Sequence, residues 1–307
     1  MNTVVCCITD APLARCCART AAWLAKAAGA RLVLATVVAP VEHVTVSHGL
    51  ASTVPGTGSS DAEELLARVA EEAELPSEAE RRVLEARDPT RALAALAVTE
   101  MAELLVVGAR GRGRVAAAAL GSVSRGLVAA APCPVVVVPA AAACERAEGR
   151  GSPSVVCAVD RSADSREVVR VAASLAVELE LELVLVHVGL PPSVPGISVV
   201  PSARQVLARE GRKAGERLLA DIAETAAGHV DAEPVFAFGD PPGTIADVCR
   251  RKNARLAVVG ARGGGPLREG FRGSVSAGVI GKAPCPVVVV PNDVVHEPPV
   301  AGRMERG

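Results

Sequence analysis

Short runs of consecutive apolar residues alternate along this chain with longer stretches whose apolar residues recur at helical spacing. In the second half, Val155 to Val159 is unbroken, the pattern of a strand buried on both faces. Ser162 to Leu179 then has apolar residues on one helical face and neither Pro nor Gly, which predicts a helix. Further strands are predicted at Leu183–Val188, Glu233–Phe238, Leu256–Val259 and Val287–Val290. Helices are predicted at Ala203–Ala227, at Pro242–Lys252 and from Ser274 to just before Pro284. The first half runs in the same order. Its strands are expected at Val4–Thr9, Leu32–Val37, Arg82–Ala86, Leu104–Val107 and Val135–Val138, and its helices at Pro12–Ala28, Asp61–Glu74, Pro89–Glu100 and Ser122–Ala131. Strands that alternate with helices argue for β-α-β units and a mostly parallel sheet.

The two halves also share their residues. Ala131–Pro139 returns as Ala283–Pro291, Gly108–Gly111 as Gly260–Gly263 and Gly121–Ser124 as Gly273–Ser276, each displaced by 152 positions. Asp88-Pro89 returns as Asp240-Pro241, and Asp10 matches Asp160 with a slip of two residues. Collinear matches at one offset mean two copies of one domain-sized unit. A chain of 307 residues exceeds the size at which one core stops growing, which agrees. The predicted domains are 1–143 and 153–294, joined through the polar, Gly-containing stretch Glu145–Pro153. Asn292–Gly307 reads as a frayed tail.

Composition narrows the function. Half of the residues are apolar and 22% are charged, which excludes a disordered chain. With one Trp, three Phe and no Tyr, the core must be Val, Leu, Ile and Ala, and base-stacking surfaces are disfavoured. A net charge of -1 leaves no whole-chain footprint for nucleic acid or an anionic membrane. Leu127 to Cys144 is uncharged for 18 residues, but Pro132, Pro134 and Pro139 would break it as a membrane helix, so no membrane partner is expected. The opening residues carry no basic, signal-like segment. A cytoplasmic address and reduced thiols are therefore expected for the nine cysteines, with Cys6-Cys7 and Cys16-Cys17 acting as small core hydrophobes.

The candidate chemistry follows the fourth strand of each half. There the chain reads Gly108-x2-Gly111-x9-Gly121-Ser122, and again Gly260-x2-Gly263-x9-Gly273-Ser274. Glycine lets backbone approach a ligand, and Gly-Ser opens a helix whose free N–H groups favour an anion. The serine is read both as an N-cap and as a phosphate donor. No G-x-x-x-x-G-K-S/T loop occurs, and Gly111-x-Gly113 lacks its third glycine, so other phosphate motifs fail.

This spacing, followed by Val123-Ser124 or Val275-Ser276 and then Ala-Pro-Cys-Pro-Val-Val-Val-Val, resembles the ATP-binding branch of the universal stress protein family. The resemblance spans both halves and implies two tandem Rossmann-like (adenine nucleotide alpha hydrolase-like) α/β domains. Each is expected to be a five-stranded parallel sheet flanked by helices, with ATP or AMP, carried with Mg2+, at the switch point. By position it implies that Asp10 and Asp160 meet the adenosine. Val37 and Val188 would line the base pocket, and Val107 and Val259 would touch adenine or ribose. Gly108, Gly111, Gly121, Ser122 and Val123 would cradle ribose and phosphates, as would Gly260, Gly263, Gly273, Ser274 and Val275, with Ser124 and Ser276 as further donors. Each Asp is also readable as a helix N-cap, a role that can coexist with ligand contact. His187 keeps a histidine frequent in the family, where the first half has Thr36.

The family also implies pairing of the two domains through their last strands. The valine runs Val135–Val138 and Val287–Val290 need cover if they are edges, and each is the nearest cover for the other. A homodimer of whole chains and a protein partner are left open. Hydrolysis is not read from the motif, because no Glu or His lies inside it; Arg110, Arg112, Arg114, Arg262, Arg268 and Arg272 are the loop cations, and His43 and His48 lack a metal spacing. The expected function is a nucleotide-binding stress regulator, with a slow ATPase or a purely structural stress protein as alternatives.

Overall fold

The computed structural model describes residues 2–9, 12–40, 58–109, 120–140, 152–190, 201–226, 230–261 and 273–291. The first half contains β1 (Thr3–Cys7), α1 (Ala14–Ala27), β2 (Arg31–Val38), α2 (Ser59–Glu72), β3 (Glu80–Glu85), α3 (Pro89–Thr99), β4 (Leu104–Gly108), α4 (Ser122–Ala130) and β5 (Val135–Val138). The second contains β6 (Ser154–Ala158), α5 (Ser165–Glu178), β7 (Glu182–Gly189), α6 (Pro201–Ala226), β8 (Ala232–Phe238), α7 (Pro241–Arg251), β9 (Ala254–Gly260), α8 (Ser274–Lys282) and β10 (Val287–Val290).

The ten strands among the described residues form one sheet in the order β3-β2-β1-β4-β5-β10-β9-β6-β7-β8. Within each half every pairing is parallel, as the β-α-β pattern requires. The halves meet where β5 and β10 pair antiparallel, with Val137 opposite Val287, Val136 opposite Val288 and Val135 opposite Val289. Val136 and Val288 are repeat equivalents, so the seam is isologous about that one pair.

Strand residues alternate between two apolar layers. Val4, Cys6, Val136, Val138, Val288 and Val290 lie under α1, α2, α5 and α6. Val5, Cys7, Val135, Val137, Val287 and Val289 lie under α3, α4, α7 and α8. Burial on both faces explains why these strands are continuous apolar runs. The uncharged stretch from Leu127 is the end of α4, a proline turn and β5. Among the described residues, no helix is long and apolar enough to cross a membrane.

Asp88 and Asp240 cap α3 and α7, with Pro89 and Pro241 behind them. Asp88 accepts the Thr90 and Arg91 N–H groups, and Asp240 accepts the Gly243 N–H. The Lys282 ammonium, 3.1 Å away, and then the Gly243 N–H hold the Asp240 carboxyl below its ordinary range. A depressed carboxyl adds stability above its unfolded pKa and loses it as pH falls through the folded one. Asp240→Asn should therefore flatten the acid side of a melting-temperature-against-pH profile; an unchanged profile would remove this contact from the acid response.

Among the described residues seven cysteines are free and buried, and desolvation raises the thiols of Cys17 and Cys133 to about 12, which leaves neither of these two as a thiolate. Cys16 departs from the expected reduced thiols, being disulfide-bonded.

Candidate functional site

β1 lies between β2 and β4, and β6 lies between β7 and β9. The helix that leaves β1 packs on one face of the sheet and the helix that follows β4 packs on the other. The connections therefore leave in opposite directions, which makes a switch point outside the carboxyl ends of β1 and β4 and an equivalent one at β6 and β9. Such switch points are where open α/β sheets bind ligands.

The glycine loop is closed at its base in the same way twice. The buried Ser124 hydroxyl donates to the Gly108 carbonyl at 2.6 Å, and the buried Ser276 hydroxyl donates to the Gly260 carbonyl, also at 2.6 Å. The Gly121 N–H adds a bond to the Ala109 carbonyl at 2.8 Å. With its single proton given to a strand-end carbonyl, neither Ser124 nor Ser276 is a phosphate donor in this geometry. Gly273 is buried and has no room for a side chain, since a Cβ would lie 2.8 Å from both the Ala261 carbonyl oxygen and Ser276 Oγ.

The N-cap positions are Gly121 and Gly273, not Ser122 and Ser274, because the glycines are the extended residues before the first helical turn. Among the described residues, no side chain caps either helix. The first helical bonds run from Arg125 N–H to Gly121 O and from Ala277 N–H to Gly273 O. The N–H groups of Ser122, Val123 and Ser124, and of Ser274, Val275 and Ser276, therefore precede the ladder and present the positive end of the helix dipole. Ser122 and Ser274 are exposed at that mouth.

Val37, Val107, Val188 and Val259 all belong to the layer under α3, α4, α7 and α8. Val107 and Val259 are each 3% exposed, so a ligand would meet their backbone rather than their side chains. His187 lies on the opposite face, where its Nδ1–H donates to the Val159 carbonyl at 2.9 Å and its ring sits 5.9 Å from that of Phe236. It braces the end of β6, a role that its place before Val188 in sequence does not disclose.

Asp160 follows β6 at the rim of the second crevice. Its Oδ1 accepts the Ser162 N–H at 2.9 Å, the Ser162 hydroxyl at 2.5 Å and the Ser165 hydroxyl at 3.0 Å. The Asp160 N–H in turn donates to Ser165 Oγ at 3.1 Å. Asp160 is not the N-cap of α5, which is Asp164, and this turn is why the helix opens at Ser165 rather than at Ser162. Sequence reasoning missed Ser162 and Ser165 as partners, although the spacing Asp-x-Ser-x-x-Ser was there to be read.

The equation of Asp10 with Asp160 needs correction. Ile8 N–H bonds Ala35 O as Val159 N–H bonds Val186 O, and α1 and α5 begin at Ala14 and Ser165. The strand end and the helix start thus keep one register, in which Thr9 aligns with Asp160. Asp10, Gly111, Gly263, the six loop arginines, His43 and His48 lie outside the described residues. Among the described residues, no group of three or more His, Cys, Asp or Glu is placed to hold a metal ion.

A model of the universal stress protein family matches residues 1–139 and again 153–291. The chain is 35% identical over 143 residues to universal stress protein YxiE of Bacillus subtilis, covering 44% of this chain and 97% of that protein. It is 33% identical over 204 residues to a universal stress protein of Mycobacterium tuberculosis, covering 62% of this chain and 63%, under two thirds, of that relative. A solved universal stress protein from Archaeoglobus fulgidus matches with a TM-score of 0.62 at 21% identity, over 95% of this chain and 99% of that one, a likeness of fold.

Proposed function

We propose, from the premise that the chain belongs to the universal stress protein family, that it binds one adenine nucleotide, ATP or AMP, at the switch-point crevice of each half and presents that state to a protein partner. The observation that carries this reading is the helix mouth after β4 and β9. In both copies a serine ties the loop base to the strand end, while among the described residues no side chain caps the helix start. Uncapped N–H groups on a held frame suit a phosphate, whose charge the helix dipole favours. Ser122 and Ser274 add exposed hydroxyls to that mouth, and the carboxylate of Asp160 on the facing rim can accept from a nucleoside hydroxyl or amine.

The described residues hold no cluster of metal ligands, so Mg2+, if bound, would come with the nucleotide phosphates. Isothermal titration of the full chain with ATP and with AMP should give saturable heat, and denaturing freshly purified protein should release adenine nucleotide into the supernatant. Absence of heat with both ligands, and of nucleotide in the supernatant, would overturn the reading.

A further inference from the structure

We infer that two copies of this chain pair through the helical layer of α1, α2, α5 and α6, with the acidic helix α2 of each copy against the basic start of α6 on the other. The pairing does not depend on nucleotide binding.

α2 and α6 are repeat equivalents, each joining the second strand of its half to the third, yet their charges differ in sign. α2 carries Asp61, Glu63, Glu64, Glu71 and Glu72 against the one cation Arg68. As far as Arg217, α6 carries Arg204, Arg209, Arg212, Lys213 and Arg217 against Glu210 and Glu216. All of these side chains are exposed. Arg68 pairs with Glu72 within α2, and Lys213 and Arg212 pair with Glu210 and Glu216 within α6. The charge left over is negative on α2 and positive on the start of α6.

α6 is also the longer helix, with 26 residues against 14, or about 39 Å against about 21 Å. From Ser202 to Ala214 none of its residues is buried, and Val206 and Leu207 are 61% and 47% exposed. That apolar pair gives the basic end an anchor, where exposed ion pairs alone would bind weakly.

The fold brings both surfaces to one face and one rim. Leu66 and Val69 of α2 and Leu219 and Ile222 of α6 fill the same apolar layer. Across that face the helices run α2, α1, α5, α6, following the strands they pack on. Because the halves join antiparallel, α2 ends at the rim where α6 begins. Two copies stacked on this face about a twofold axis parallel to the strands set α2 of each against α6 of the other, at the ends where the charges are opposite. The same axis sets α1, whose charges are Arg15, Arg19 and Lys26, against α5, which has two cations and two carboxylates. A twofold axis across the strands would set α2 against α2, acid against acid, and is disfavoured. The contact is reciprocal, so it closes at two copies.

Sedimentation velocity of the full chain tests the pairing. A concentration-dependent dimer is expected at about 0.1 M salt. Its dissociation constant should rise at least tenfold at about 1 M, where the Debye length falls from about 10 Å to about 3 Å. Glu64→Lys with Glu71→Lys, both exposed on α2, should give a monomer at the lower salt, as should Arg204→Glu with Arg209→Glu on α6. An equimolar mixture of the two reversed chains should recover the dimer, because each then offers on both helices the sign that the other needs. One chain carrying all four changes should pair with itself again. A wild-type monomer at low salt, a dimer indifferent to both reversals, reversed chains that stay apart when mixed, or assembly beyond the dimer would each overturn the inference. In case a reversed chain does not fold, the wild-type salt response decides: a dimer that salt does not weaken overturns the pairing.

Discussion

Glutamate at Val137 and Val289 together should lower the melting temperature by more than about 10 °C and expand the particle in solution. Both side chains are essentially buried, at 0% and 1% exposure, in the layer under α3, α4, α7 and α8. Each also sits in the antiparallel seam, Val137 opposite Val287 and Val289 opposite Val135. Apolar side chains of that layer surround both positions, so the new charges would be buried in hydrophobic surroundings. Such changes are among the few that cost more than about 4 kcal/mol each. For a chain of this size, about 2–4 °C is lost per kcal/mol. Calorimetry and small-angle scattering at neutral pH measure the two effects. Wild-type melting with an unchanged scattering profile would show that the seam does not hold the halves in solution.

Gly273→Ala should cost the second half its nucleotide, with affinity there falling at least about tenfold, and should lower stability by about 1–3 kcal/mol through overpacking. The new methyl would lie 2.8 Å from the Ala261 carbonyl oxygen and from Ser276 Oγ. The first is backbone and cannot swing away; the second can leave only by breaking its 2.6 Å bond to Gly260 O. Either movement opens the base of the loop and displaces the helix mouth. Gly58→Ala, where a Cβ meets nothing within 4 Å, is the matched control. Titration with ATP decides: equal affinity in a folded Gly273→Ala protein would move the site away from the helix mouth.

Much of this architecture was legible before any coordinates. The valine runs predict β5 and β10 at their observed bounds, because a four-residue apolar run between prolines has few other options. Repeated glycines located the crevice loops for the same kind of reason, since backbone approach needs glycine in both copies. What was not legible depends on contacts remote in sequence. Whether Ser124 turns outward to a ligand or inward to Gly108 O, 16 residues away, is decided by how α4 packs, and periodicity carries no trace of it. The same holds for His187 and the Val159 carbonyl, 28 residues apart. The mismatch between Asp10 and Asp160 has another origin. Identity of residue type drew the two aspartates together, while hydrogen bonds at the strand ends set the register and gave the place to Thr9.

The antiparallel joint between two otherwise parallel halves gives the molecule opposed poles. Because β5 runs with its own half and against β10, the carboxyl ends of the two sets of strands point in opposite directions. The two switch points accordingly lie at opposite rims of one sheet. Ligands bound at them would approach from opposite sides, and any influence of one on the other would have to cross the valine seam.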